Sequence, residues 1–248
     1  MSKKVLIPLP STDFDPTECA VPWKILSQNG ISIQFATPLG EKADCDHRML
    51  LGNGLHILSP ILRADAQARR AYRELENSTE FQNPIKWSAI KSNEFDGLIL
   101  PGGHAPGMKE YLESTLLQNC TKDFFALEKP VGAICHGVVL AARSKVNGQS
   151  ILKGYQTTAL LSSQELLAWT LTSVWLGDYY RTYKQTVEAE VTSVLASPKD
   201  FMKGPIPIRR DSLEHLNYGF TVHDRNYLSA RWPGDAHRFG VEFLKMLQ

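Results

Sequence analysis

The chain has 248 residues, 43% of them hydrophobic and 21% charged, with a formal net charge of +1. That length can bury one sizeable core, and the even charge balance leaves no basic footprint for nucleic acid or an anionic membrane. Four cysteines (Cys19, Cys45, Cys120 and Cys135) with no C-x-x-C pair read as reduced thiols, and no His/Cys spacing resembles a zinc module.

The opening stretch, MSKKVLIPLPSTDFD, has two lysines before an apolar run. Pro8, Pro10 and Asp13 break that run short of a secretion signal, and no apolar stretch is long enough to span a bilayer. A cytoplasmic location is the expectation. Within the run, residues 3–10 (KKVLIPLP) predict a strand buried on both faces. PTECAVPWKILSQNG then reads as loop plus helix stopped by Asn29-Gly30, and ISIQFATP as a second strand ended by Pro38. Strand, helix, strand in this space is a βαβ unit and implies a parallel sheet.

Residues 40–93 interrupt the rhythm with a long polar stretch of helical density, read as a cap-like insertion over the loop side of the sheet. The rhythm resumes with a strand, FDGLILPGG, a helix over residues 107–129, a strand, PVGAIC, and a helix, HGVVLAARSK, ending before Asn147-Gly148. GYQTTALLSS reads as a further strand and QELLAWTLTSVWLG as a helix, while residues 178–212 give no assignment. GFTVHDRNYLSARWPG predicts a hairpin, and DAHRFGVEFLKMLQ a terminal helix with Asp235 as N-cap. Arg209-Arg210 reads as a solvated surface pair. With no linker or repeat, residues 1–248 read as one doubly wound α/β domain.

In such a sheet, function gathers at the carboxyl ends of the strands. Glu18 follows the first strand, Gly102, Gly103 and His104 the third, Cys135 and His136 end the fourth, and Glu165 follows the fifth. Three readings compete for Cys135: a buried structural thiol, a metal ligand beside His136, or a nucleophile on a strand-to-helix turn. On such a turn the helix dipole would lower the thiol pKa, the N–H of the next residue would face a developing oxyanion, and Gly103 N–H could be a second donor. His136 reads as a base or a cap of the turn, Glu165 as an orienting acid or a helix-start acid, and Glu18 as a functional carboxyl or a loop acid. His104 either contacts substrate or closes the loop. Arg231, Trp232, Asp235 and His237 form a polar cluster read first as solvated loop chemistry and second as pocket lining.

AICHG, preceded by LILPGGH and by an acidic residue after strand one, resembles the ThiJ/PfpI superfamily. Order and spacing match over residues 3–167 and weaken after Trp169. The resemblance implies a flavodoxin-like, class I glutamine amidotransferase-like fold, and the insertion of residues 40–93 makes the chain most similar to the larger branch of heat-shock chaperones with glyoxalase III activity. Carried over by position, it makes Cys135 the nucleophile, His136 its base, Glu165 the third, orienting acid, and Glu18 the carboxyl that hydrogen-bonds the sulfur. Glu18 would then be protonated or share a proton with Cys135. The implied activity is conversion of methylglyoxal to lactate without glutathione, metal or organic cofactor. An amidase, deglycase or peptidase using the same cysteine is an alternative, as is a redox-sensing or holdase protein without turnover. The implied partner is a small carbonyl or amide substrate, and the resemblance adds a second copy of the chain in a homodimer as an expectation.

Overall fold

The computed structural model describes residues 3–248; Met1 and Ser2, which open the stretch weighed above as a signal, lie outside them. The first apolar run forms β1 (Lys4–Pro8), buried from Val5 onward. Asp15 then caps α1 (Pro16–Gln28) by accepting the N–H groups of Thr17 and Glu18. The helix stops at Asn29, followed by Gly30 at φ +76. β2 (Ser32–Thr37) runs parallel to β1 and completes the expected βαβ unit.

The insertion at residues 40–93 divides between two tasks. It forms α2 (His47–Leu51), α3 (Ser59–Leu62), α4 (Ala66–Glu76), α5 (Thr79–Gln82) and the two-residue strand β3 (Ile85–Lys86). β3 pairs parallel with β2 as an edge of the sheet, and α4 packs against α1 with Ala68, Ala71, Tyr72 and Leu75 buried. α2 and α3 contribute Met49, Ile61 and Leu62 to the wall of the cavity described below.

β4 (Gly97–Leu100) follows. The single helix expected over residues 107–129 is two, α6 (Met108–Leu112) and α7 (Thr115–Ala126), because the Ser114 hydroxyl accepts the Leu117 N–H and caps a new start. β5 (Val131–Ile134) leads into α8 (Gly137–Arg143). Asn147 and Gly148, at φ 51 and 78, turn a small hairpin of β6 (Lys145–Val146) and β7 (Gln149–Ser150).

The strand expected at GYQTTALLSS does not form. Thr157 makes one isolated bridge, to Phe201, and Thr158 N–H donates to the Ser229 side chain rather than to a ladder. The place beside β5 is taken by a later strand whose residues are fully buried. After α9 (Ser162–Leu176) and α10 (Val187–Val194), the chain makes the expected hairpin, β8 (Thr221–Asp224) and β9 (Tyr227–Ala230). β9 pairs parallel with β5, so the seven-stranded order is β3-β2-β1-β4-β5-β9-β8, with only β8–β9 antiparallel. Two helical groups flank it, one with α1, α4 and the terminal α11 (Ala236–Met246), the other with α6, α7, α8 and α10.

Asp235 is not the side-chain cap of α11. Its carboxylate clamps the buried Arg231, Oδ2 to Nε and Oδ1 to Nη2 each at 2.9 Å, and accepts the Phe220 and Arg231 N–H groups. Asp211 caps α11 instead, accepting N–H from His237 and Arg238. The cluster read as solvated loop chemistry is therefore interior: Arg231 and Asp235 are wholly buried and His237 nearly so. A paired, hydrogen-bonded charge is the form in which an arginine tolerates such burial. Among the described residues no helix is long and apolar enough to cross a membrane.

Candidate active site

Cys135 sits between β5 and α8 with φ 57, in the left-handed region that a side chain other than glycine seldom adopts. The turn is possible because α8 begins at Gly137, where a Cβ would stand 2.0 Å from the carbonyl oxygen of Leu100. The elbow therefore depends on close approach of helix backbone to the end of β4. It leaves Cys135 buried yet lining a cavity at the carboxyl ends of the strands.

Behind the sulfur, His136 Nδ1 lies 3.5 Å from Cys135 Sγ. Its Nε2 lies 3.1 Å from Thr182 Oγ1, and that hydroxyl donates its one proton to the His104 carbonyl at 2.6 Å. Thr182 can therefore only accept from His136, which puts the ring proton on Nε2 and leaves Nδ1 as a lone-pair acceptor facing the thiol. The His136 side chain makes no capping hydrogen bond to α8. Burial, with the neighbouring His104 and Arg143, pushes its pKa down to about 3, so the ring is neutral at rest.

Glu18, in the first turn of α1, is wholly buried. Its Oε2 accepts the Gly102 N–H at 2.9 Å, while Oε1 has no hydrogen bond of full geometry and the carboxyl is coupled to the Cys135 thiol. Burial first, and then the nearby Asp15, raise its pKa well above the usual carboxylate range. Asp15 itself is raised by burial to about 6. Gly102 is required here, since a Cβ would fall 2.7 Å from Glu18 Oε2.

The thiol does not follow the expected direction. Burial pushes Cys135 up, Glu18 and Asp15 add to that, and the His136 backbone N–H opposes it only in part. Desolvation outweighs the helix end, and burial shifts both members of the pair toward their protonated forms.

Glu165 does not reach His136, whose outer nitrogen is taken by Thr182. Its Oε2 accepts the Val187 N–H at 3.0 Å at the start of α10, and its Oε1 lies 3.4 Å from Arg181 Nε. Gly103 lines the cavity beside Cys135. His104 stacks on Tyr180 with ring centroids 4.3 Å apart, and burial lowers its pKa to about 3.

The cavity measures about 470 Å³ and is mainly apolar, walled by Met49, Leu160, Leu167, Leu171, Tyr180 and Ile208 among others. Arg210, read from sequence as a solvated pair with Arg209, is half-buried in its lining, beside Trp232. Thr182 and Tyr180 escaped the sequence reading because they lie in the unassigned stretch. Asp15 carried a signal, Asp-Pro-x-Glu at a helix start, that marks an N-cap and places the acid next to Glu18.

The signature described as ThiJ/PfpI family-like matches residues 9–205. The chain belongs to this family. Among curated relatives, Deglycase TK1284 of Thermococcus kodakarensis is 25% identical over 164 residues, covering 66% of this chain and 69% of its own. Glutathione-independent glyoxalase hsp3102 of Schizosaccharomyces pombe is 24% identical over 155 residues, 60% of each. Matches to two further relatives span only 46% and 34% of those proteins' lengths. Among solved structures, glyoxalase III of Candida albicans superposes with a TM-score of 0.68 at 18% identity, covering 99% of this chain and 98% of its own, which establishes the shared fold.

One cluster of the ThiJ/PfpI chain outside this cavity, Asp44, Cys45 and His47, has donor spacing compatible with a metal ion. His47 Nε2 is already on Asp44 Oδ1 at 2.9 Å, and burial pushes the Cys45 thiol up, away from the thiolate a metal needs.

Proposed function

We propose that this ThiJ/PfpI protein is a glutathione-independent glyoxalase, converting a 2-oxoaldehyde to the 2-hydroxy acid, with methylglyoxal to lactate as the simplest case. One observation carries the reading: the wholly buried Glu18 and the buried Cys135 line one cavity, where burial raises the proton affinity of the carboxyl. A carboxyl of raised proton affinity beside a nucleophile is suited to carrying a proton between adjacent carbons. The relative named as a glutathione-independent glyoxalase supports it.

In this reading Cys135 Sγ adds to the aldehyde carbon. The thiol proton passes to His136 Nδ1 and the Glu18 proton to the aldehyde oxygen, giving a neutral hemithioacetal. Glu18, now a carboxylate, removes the hydrogen from that carbon while His136 returns its proton to the neighbouring carbonyl oxygen, forming an enediol. Glu18 then protonates the second carbon and recovers its own proton from the first hydroxyl, leaving a thioester. Water cleaves it, with His136 taking a proton from water and passing it to sulfur. The sum is one water added, with no external redox partner.

A deglycase would share the first addition and differ in the group expelled, and the relative named a deglycase supports that second reading. Proton NMR of methylglyoxal mixed with the protein, without glutathione, tests the proposal. Formation of lactate supports it; loss of aldehyde with no hydroxy acid counts against it.

A further inference from the structure

Buried polar atoms without a partner concentrate in the cavity of Cys135. Besides Glu18 Oε1 they are His104 Nε2, Gln164 Oε1, Arg210 Nη1 and Trp232 Nε1. Unpaired buried polar groups cost stability, and they persist where a ligand completes them.

Two of these atoms belong to neighbouring side chains. The Arg210 guanidinium lies 5.3 Å from the Trp232 ring centroid. Its Nη2 is spent on the carbonyls of Ile61, Leu62 and Arg63 at 3.5, 3.4 and 3.3 Å, which anchors the group and leaves Nη1 unmatched. Arg Nη1 and Trp Nε1 can only donate, so what completes them is an acceptor, and the guanidinium charge selects an anionic one.

The rest of the cavity argues for size. About 470 Å³ lies in the range of roughly 300–1,000 Å³ that suits drug-sized ligands, far more than a three-carbon oxoaldehyde fills. The apolar walls continue outward through Ile61, Leu167, Leu171 and Ile208, all left exposed.

We propose that the cavity takes an acidic carbonyl compound with an apolar body of about aryl size, its carboxylate held by Arg210 Nη1 and Trp232 Nε1 and its body against Leu167, Leu171 and Ile208. The reacting carbonyl of that compound rests on the glyoxalase reading above; the preference for an acidic, apolar body is read by binding alone.

The test is calorimetric titration of the full-length Cys135→Ala protein with phenylpyruvate, pyruvate and benzyl alcohol. Phenylpyruvate should bind about tenfold or more tightly than pyruvate, as expected for a phenyl ring leaving water for apolar walls. Arg210→Met on that background should weaken phenylpyruvate by about tenfold and leave benzyl alcohol unchanged. Leu171→Asp, at an exposed wall position, should weaken phenylpyruvate and spare pyruvate, an independent check should Arg210→Met disturb folding. Equal affinity for the two oxo acids, absence of binding by either, or insensitivity to both substitutions overturns the proposal. Failure of methylglyoxal turnover with this binding order intact sinks the glyoxalase reading alone; turnover without the binding order sinks this inference alone.

Discussion

Thr182 accepts a hydrogen bond from His136 Nε2 at 3.1 Å, and this contact decides which face of the imidazole meets Cys135. With the Thr182 proton committed to the His104 carbonyl, Nδ1 is left free to take the thiol proton. Thr182 is thus a positioning residue. Thr182→Val should lower kcat by about 10- to 100-fold with little change in KM, because the tautomer and not substrate binding is lost. Thr182→Ser should restore most of the rate. Steady-state kinetics of the two variants beside Glu165→Gln checks this: if Glu165→Gln alone abolishes kcat, the orienting group is the glutamate.

Glu18→Gln should separate stability from activity. A carboxyl whose folded pKa lies above its unfolded value contributes stability at low pH that is lost as pH rises through the folded pKa, so at neutral pH the buried group is a burden. Glutamine is neutral and can still accept the Gly102 N–H. The variant's melting temperature at pH 7.5 should equal or exceed that of wild type, while turnover falls by about 10²- to 10⁴-fold. A clear drop in melting temperature would show that the charged form is the stable one.

The histidines act in the opposite direction. His104 and His136 have folded pKa values pushed down to about 3, below the usual 6.5, so the unfolded chain takes up protons first as pH falls. Their contribution to stability is present above pH 6.5 and is lost progressively between there and about 3. His104→Phe, which keeps a ring against Tyr180, should flatten the pH dependence of urea unfolding across that window. An unchanged slope contradicts the assignment.

Arg231 couples the fold to the cavity. Besides its two-pronged contact with Asp235, its Nη1 donates to the carbonyls of Lys203 and Pro205, just ahead of the Pro207–Arg210 stretch that helps wall the site. Arg231→Met leaves Asp235 buried without its counter-charge and should cost about 3–5 kcal/mol by equilibrium denaturation. A loss within experimental error of zero would mean that the pair is dispensable.

The strands β1, β4 and β5 were legible because Val5–Ile7, Leu98–Leu100 and Val131–Ile134 are continuous apolar runs, the pattern of strands buried on both faces, whereas their order in the sheet is set by tertiary pairing and was not. The elbow was legible for a similar reason: an apolar strand ending in Cys-His-Gly can turn sharply only if the helix starts on a residue without a side chain. The false strand at residues 154–163 shows the limit. Its Thr and Leu content suits a strand, but the slot beside β5 went to β9, and competition for a slot is a tertiary matter. The partner of His136 was hidden for the same reason. Glu165 stood at the expected position in the chain, yet Val187 and Arg181 claim its oxygens, and Thr182 arrives from a stretch with no periodicity to announce it.

The most direct test of the central claim is glutathione-free turnover of methylglyoxal, followed as lactate by NMR, in wild type beside Cys135→Ala and Glu18→Gln. The account predicts lactate from wild type, none above background from Cys135→Ala, and a rate lower by about 10²-fold or more from Glu18→Gln. Lactate formed at the wild-type rate by either variant would contradict it, since the sulfur and the carboxyl would then not be the groups that add to the aldehyde and carry its proton.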